Sequence, residues 1–172
     1  MTQTDVPVLL IGFNRPESMR SVINAVRAAA PRSVYFAIDG PRIGSAGDHA
    51  KVQATRDLVQ EIDWSCEIYT LFREVNLGCA EGVSGAITWF FDHVSEGIIL
   101  EDDIIPTPNF FPFMTEMLNR YRDDHRVFSV TGSNRIPATV LNSANQYRFC
   151  SVPQVWGWAT WRDRWQTYSL DI

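Results

Sequence analysis

The chain has 172 residues, of which 45% are hydrophobic, and a formal net charge of -5. These values fit one domain with a proper core, exclude a disordered chain, and argue against a nucleic-acid surface, which needs a basic face. No stretch approaches the roughly 18 consecutive apolar residues of a transmembrane helix, no signal-peptide pattern is present, and the cysteines form neither a disulfide framework nor a CxxC metal site.

Apolar runs alternate with helically spaced apolar residues along most of the chain, a pattern typical of βα units. The predicted strands cover residues 6–13, 33–40, 66–72, 97–100, 127–132 and 147–152. The predicted helices cover residues 16–30, 48–63, 83–94 and 110–121. The order of elements predicts one α/β domain over residues 1–172, with a mostly parallel sheet.

The central predicted strand runs directly into three consecutive carboxylates, Glu101, Asp102 and Asp103. Successive strand residues face opposite sides, so part of this charge lies against the sheet edge, where like charges raise one another's pKa. Ligands of open α/β sheets bind outside the carboxyl ends of the strands, and hard divalent cations prefer carboxylate oxygens. The triplet by itself fits either a bound cation or a solvated acidic turn.

Polar side chains also follow the other predicted strands. Asn14 and Arg15 come after the first strand, and Asp39 ends the second. An Asp at this place commonly holds a ribose or base, but it can equally make an Asx-turn into Gly40. Arg73 follows the third strand and can reach a phosphate or remain a surface arginine. Neither G-x-G-x-x-G nor a P-loop occurs, so we do not expect a phosphate site built from backbone alone.

Four of the six tryptophans lie close together near the C-terminal end. Trp158, Trp161 and Trp165 have i, i+3, i+7 spacing, which predicts a helix that buries them on one side. A second role, contact with a sugar, fits Trp156, Gly157 and Trp158. Indole faces bind the C–H surfaces of sugars, and glycine lets the backbone approach a ligand closely.

The motifs occur in a characteristic order: Asn-Arg-Pro at 14–16, Asp-Gly at 39–40, Asn-Leu-Gly at 76–78, Glu-Asp-Asp at 101–103, Pro-x-Phe-Phe at 108–111 and Trp-Gly-Trp-Ala-Thr-Trp at 156–161. This order resembles the GT-A-fold glycosyltransferases of the bacterial family 2-like group and the N-acetylglucosaminyltransferase I type catalytic domain. The resemblance spans about residues 6–165. It implies a three-layer α/β/α sandwich and metal-dependent, inverting transfer of a sugar from a nucleotide-diphosphate donor, usually a UDP-sugar, to a glycan or other hydroxyl acceptor.

The resemblance also implies a role for each matching residue. Asp103 would bind Mn²⁺ or Mg²⁺, Glu101 would face the ribose, and Asp102 would face the ribose or the donor sugar. The remaining nucleotide-binding residues would be Phe13, Asn14, Arg15 and Asp39. The substrate side would be formed by Arg73, Trp156, Gly157 and Trp158. The family's common setting is polysaccharide synthesis by cytoplasmic enzymes peripheral to the inner membrane.

The chain departs from the family pattern at its C-terminal end. The family's catalytic base lies beyond the Trp-Gly-Trp segment, where this chain has only Asp163 and Asp171 as acids. Asp163 is a candidate base, but its two arginine neighbours also fit a surface ion pair. The chain stops at Ile172 without a closing signal, which predicts a fragment that lacks part of the acceptor half. The alternatives are a nucleotide-sugar-binding module without turnover and a sugar-nucleotide pyrophosphorylase, whose Gly-rich signature is missing.

Overall fold

The computed structural model describes residues 3–134 and 147–170. Its strands are β1 (Val8–Gly12), β2 (Ser33–Ile38), β3 (Glu67–Phe72), β4 (Glu96–Glu101), β5 (Ser129–Thr131) and β6 (Trp158–Trp161). Its helices are α1 (Pro16–Arg27), α2 (Asp48–Asp57), α3 (Gly78–His93), α4 (Phe110–Tyr121) and α5 (Arg162–Trp165), with a 3₁₀ turn (Leu58–Glu61) after α2. Among these helices, none has the length and apolar content needed to cross a bilayer.

The strands form one six-stranded sheet in the order β3-β2-β1-β4-β6-β5. Strands β3, β2, β1 and β4 pair in parallel, whereas β6 pairs antiparallel with both β4 and β5. The sheet is therefore mixed, and the prediction of a mostly parallel sheet is wrong for the β4-β6-β5 half. The chain returns through β6 in the opposite direction, and this strand fills the space between β4 and β5.

Helices cover both faces of the sheet, as the alternation within β1 illustrates. Val8 and Leu10 pack with apolar residues of α1, α2 and α4 on one face. Leu9 and Ile11 pack with residues of α3 and α5 on the other. All four side chains are buried, and each such burial contributes about 1.5–3 kcal/mol relative to exposure. The α/β prediction is confirmed at this level.

Two predicted elements near the C-terminal end are wrong. Residues 147–152 form no strand; Tyr147 instead bonds through its hydroxyl to that of Tyr121 on α4, at 2.7 Å. The helix predicted from the tryptophan spacing is replaced by strand β6 and the four-residue α5. Pairing with β4 and β5 satisfies the backbone of β6, so these sheet contacts override the helical spacing. The loop predicted at residues 134–145 lies outside the described residues from position 135 onward.

The arrangement of the strands brings several chain segments to one edge of the sheet. The carboxyl ends of β1, β2, β3 and β4 share this edge because these strands are parallel. The segment before β6 reaches the same edge, since Trp158 lies opposite Ile99 while Trp161 lies opposite Glu96. Polar turns that are far apart in sequence therefore meet here, as expected for an open α/β sheet.

Candidate functional site

A cavity of about 310 Å³ opens at the carboxyl ends of β1 to β4. The predicted site residues that line it are Phe13, Asn14, Arg15, Asp39, Arg73, Glu101 and Asp102. They come from the turns after all four parallel strands, and the first half of α3 closes the opposite wall through Gly78, Cys79, Gly82, Val83 and Ala86. The topology thus brings together most of the residues that the sequence marked separately.

Asp39 holds the turn that leads into α3. Its carboxylate accepts hydrogen bonds from Nδ2 of Asn76 at 2.9 Å and from the backbone N–H of Leu77 at 3.1 Å. It also accepts the N–H of Gly40, one residue on, at 2.9 Å; the Asx-turn considered from the sequence is absent, because it needs the N–H two residues on and Pro41 has none. The Leu77 N–H is shared with the second oxygen, also at 3.1 Å, so three donors already make four contacts with this carboxylate, about its full capacity.

A second polar cluster joins the first turn to the start of α2. Nδ2 of Asn14 donates to Asp48 at 2.9 Å, and Arg42 binds the same carboxylate through Nε at 2.6 Å and Nη2 at 3.0 Å. The guanidinium of Arg42 lies 5.5 Å from the ring centre of Phe13, in a cation–π contact. The Arg42 bonds hold the pKa of Asp48 well below its usual value, although burial acts against them. This cluster fixes the positions of Phe13 and Asn14.

The carboxylate triplet divides into an inner and an outer part. Asp102 is buried, at 7% exposure, while the side chain of Asp103 is 62% exposed. Burial raises the pKa of Glu101, with Asp103 and Asp102 adding to the rise. Burial also raises the pKa of Asp102, against the opposing effects of Arg15 and the Phe13 amide. Two carboxyl groups that bind protons more tightly than usual therefore face the cavity, a pattern common at functional sites.

Arg15 connects the inner and outer carboxylates. Its Nη1 lies 3.2 Å from Oδ1 of Asp102 and 3.2 Å from Oδ2 of Asp103. The guanidinium is more than half exposed, and Arg15 precedes α1 as its N-cap. A single cationic nitrogen thus lies between the two carboxylates, which shows that their oxygens converge on a position suited to positive charge.

Arg73 lies along α3, and glycine makes room for it. A Cβ at Gly85 would lie 2.7 Å from Nη2 of Arg73, and a Cβ at Gly82 would lie 3.1 Å from Oδ2 of Asp39. Glycine inside a helix costs about 1 kcal/mol relative to alanine. The two glycines therefore keep this part of α3 open to the polar side chains of the cavity wall.

The two tryptophans of the Trp156–Trp158 segment lie in different environments. Trp156 is 61% exposed, whereas Trp158 is 5% exposed and packs in the core below α3, with Trp165. Gly157 has a φ of +68°, and a Cβ there would lie 3.2 Å from Ile104 and from Phe110. The structure therefore gives Trp158 a core position, and Trp156 is the indole left exposed near the triplet.

Asp163 lies far from the cavity. It follows β6, whose last residue, Trp161, pairs with the first residue of β4, Glu96. The triplet begins at the other end of β4, about 16 Å away at roughly 3.3 Å per residue. Asp163 contacts Nδ1 of His125 at 3.1 Å and Arg164 at 2.8 Å, and the Arg164 bonds lower its pKa despite partial burial. Its position and ion pairs match the surface ion pair considered from the sequence, and they place it away from any base role in this cavity.

Sequence reasoning missed Arg42, Asn76 and Gly82, which line the cavity, and Asp48 and Gly85, which lie against lining residues. Asp48, the first residue of a predicted helix, is a buried ion-pair partner at 3% exposure. Asn76 stands in the Asn-Leu-Gly turn, so that motif was a usable signal for it. The glycine pair at i, i+3 inside an otherwise good helix was a second signal, because glycine there is unfavourable unless something needs the space.

Comparison with known proteins adds little to this geometry. No protein-family model matches the chain, and no curated protein matches it. Among the solved structures, it is similar to the crystal structure of Rv0371c from Mycobacterium tuberculosis H37Rv, with 11% sequence identity and a TM-score of 0.41. The match covers 68% of this chain and 62% of that chain. A similarity of this size carries no argument about fold family or function.

Proposed function

We propose that this chain is the donor-binding domain of a metal-dependent, inverting glycosyltransferase of GT-A type. The donor is a nucleotide-diphosphate sugar, with UDP as the first nucleotide to test, and the acceptor is a glycan or another hydroxyl compound. One observation carries the proposal: one cavity is lined by the turns after β1, β2, β3 and β4, and it reaches Glu101 and Asp102, with Asp103 next in the chain outside the lining. The motif order described above supports the same assignment.

The residues fit a divalent cation at the outer end of the cavity. Oxygens of Asp102 and Asp103 already converge on one cationic nitrogen of Arg15. Within residues 3–134 and 147–170, no group of three or more His, Cys, Asp or Glu residues is placed to hold a metal. In the proposal the ion would take Asp103, the ligand that the resemblance implies, and would complete its shell with phosphate oxygens and water, as hard cations do. Bound there, it supplies charge stabilisation to the leaving diphosphate.

The protein's own side chains have distinct tasks in this proposal. The half-buried Glu101 and the buried Asp102 hold ribose or sugar hydroxyls. Burial raises the pKa of both carboxyls, so each holds its proton to a higher pH than usual. Asp39 orients the base from the turn before α3, and Arg73, which lies along α3, reaches a phosphate of the donor. Trp156 is the exposed indole on the sugar side.

A second candidate is a binding module that holds the same ligand without turnover. The position of Asp163 favours this alternative. Asp163 is the candidate base from the sequence, and it lies at the end of β4 that is far from the cavity. Proton removal from an acceptor hydroxyl requires a base within hydrogen-bond reach, about 2.6–3.2 Å. Transfer activity in this chain would reject the binding module, whereas activity seen only in a longer chain would place the base outside residues 1–172.

Calorimetric titration tests the donor site. UDP, GDP and dTDP are each titrated with and without Mn²⁺. We expect Mn²⁺-dependent binding of one nucleotide well above the others, and the preferred nucleotide identifies the donor class. A folded protein that binds none of the three would reject the donor site and leave the Glu101–Asp103 triplet as a structural acid cluster.

A further inference from the structure

Strand β3 forms one edge of the sheet, and no described strand pairs with its outer side. None of its residues is buried, and Ile68, Tyr69 and Phe72 are 40%, 37% and 36% exposed. Natural edge strands usually carry lysine, proline or a bulge that blocks pairing with another chain. The sequence Glu67–Phe72 contains no lysine or proline and pairs with β2 in an unbroken register. The outer side of β3 is therefore open to a further strand.

The hydrogen bonds to β2 determine which backbone groups of β3 face outward. The N–H of Glu67 donates to Arg32 at 2.8 Å, and that of Arg73 donates to Ile38 at 3.1 Å. In a strand, the N–H and C=O of one residue point to the same side, and those of the next residue point to the other. The odd-numbered residues of β3 therefore bond to β2. The outward groups belong to Ile68, Thr70 and Phe72.

We infer that a second copy of this chain pairs with β3 in antiparallel fashion, about a twofold axis at Thr70. In that register Thr70 exchanges both backbone bonds with its own symmetry mate, and Ile68 exchanges both with Phe72 of the second copy. If the axis passed through Tyr69 or Leu71 instead, the outward N–H and C=O of one of these three residues would have no partner within β3. The register centred on Thr70 uses all of these groups, and it closes as a symmetric dimer.

The side chains match in the same register. Glu67 lies opposite Arg73 of the second copy, so a carboxylate and a guanidinium meet at each end once Arg73 turns from its place beside Gly85 of α3. Tyr69 lies opposite Leu71, and Ile68 opposite Phe72, which pairs aromatic with aliphatic side chains across the twofold axis. Directly opposed pairs of these kinds stabilise antiparallel strands by about 0.2–1 kcal/mol each. The edge is thus self-complementary in hydrogen bonding, apolar contact and charge.

The dimer would also touch the cavity. Arg73 lines the cavity and stands at the end of the paired edge, so Glu67 of the second copy would lie beside it. The inference does not depend on the proposed nucleotide site, since the edge pairing needs no ligand.

Sedimentation velocity over a wide concentration range tests the dimer with three variants. Thr70→Pro removes the outward N–H while leaving the bonds to β2 in place, because that N–H points away from β2. We expect the wild-type chain to dimerise, Thr70→Pro to be monomeric with an unchanged circular dichroism spectrum, and the matched Thr70→Val variant to dimerise. Glu67→Arg places like charges opposite each other at both ends and should weaken the dimer about tenfold.

Amide hydrogen exchange provides a second readout that does not need Thr70→Pro to fold. The amides of Ile68, Thr70 and Phe72 should become protected as the concentration of the chain rises. The intervening amides of Tyr69 and Leu71 should be protected at every concentration by β2. A wild-type chain that remains monomeric would overturn the proposal. It would also be overturned if a dimer formed that Glu67→Arg did not weaken and in which amide exchange at Ile68, Thr70 and Phe72 did not change with concentration.

Discussion

Nη1 of Arg15 lies 3.2 Å from Oδ2 of Asp103, and the same nitrogen is 3.2 Å from the buried Asp102. The cation between these carboxylates is thus a side chain in the free protein. A divalent ion that binds Asp103 must displace or share this contact.

Asp103→Ala should remove the Mn²⁺-dependent part of nucleotide binding at little cost to the fold. The side chain is 62% exposed, and exposed substitutions away from special features usually change stability by less than about 0.5 kcal/mol. Calorimetry with and without Mn²⁺ measures the binding, and urea denaturation measures the stability. Asp92→Ala, an exposed carboxylate on α3, is the control. Equal Mn²⁺ dependence in the wild type and Asp103→Ala would reject the metal role.

Arg15→Gln should raise the affinity for Mn²⁺ in the absence of nucleotide. Removing the guanidinium frees the carboxylates, and because exposed ion pairs contribute up to about 1 kcal/mol, we expect an increase of roughly two- to fivefold. The same variant should bind the nucleotide more weakly, since it loses a positive charge near the diphosphate. Mn²⁺ electron paramagnetic resonance measures the free ion directly. An unchanged or lower Mn²⁺ affinity would show that Arg15 does not compete for this position.

Gly85→Ala should weaken nucleotide binding without lowering the stability of the fold. The added Cβ would lie 2.7 Å from Nη2 of Arg73 and must displace that flexible side chain, while the helix gains up to about 1 kcal/mol. We expect unchanged or higher stability together with a nucleotide affinity reduced about tenfold, the usual effect of losing one hydrogen bond to a charged group. The Arg73→Ala variant and the double variant complete a cycle, in which the two losses should not add. Fully additive losses would mean that Gly85 acts independently of Arg73.

Glu101→Gln should make the protein more stable at neutral pH. Burial raises the pKa of Glu101 in the folded state, so the ionised group opposes folding above that pKa. The advantage of Gln should shrink as the pH falls through the raised pKa, where wild-type Glu101 becomes protonated. Urea denaturation across this pH range measures the difference, with the exposed Glu74→Gln as control. A variant less stable than the wild type at neutral pH would contradict the assignment.

Much of the cavity could be predicted because strand ends are visible in the sequence. Apolar runs followed by Asn14, Asp39, Arg73 and Glu101 show where strands stop, and the parallel βα pattern brings those ends to one edge. The partners across the cavity could not be predicted in the same way. Asp48 meets Asn14 across 34 positions of sequence, and no local pattern encodes that contact.

The C-terminal part was predicted less well for a related reason. The spacing of Trp158, Trp161 and Trp165 fits a helix, but the first two lie at either end of strand β6. Whether such a segment becomes a strand depends on a vacant position between β4 and β5, which is a property of the sheet and not of the segment. The same reversal of direction carries Asp163 to the far end of β4. Local sequence does not specify the direction of β6, so it could not show that Asp163 lies away from the cavity.

In the function proposed above, the cavity and the Glu101–Asp103 triplet form one metal–nucleotide site. Paramagnetic broadening in amide NMR spectra tests it most directly, with Mn²⁺ added in the presence and absence of UDP, or of whichever nucleotide binds. We predict that nucleotide together with Mn²⁺ broadens the amide signals of residues 12–15 and 101–104, while those beside Asp163 stay sharp. Broadening at the Asp163 end, or none near the triplet while the nucleotide binds, would contradict the account.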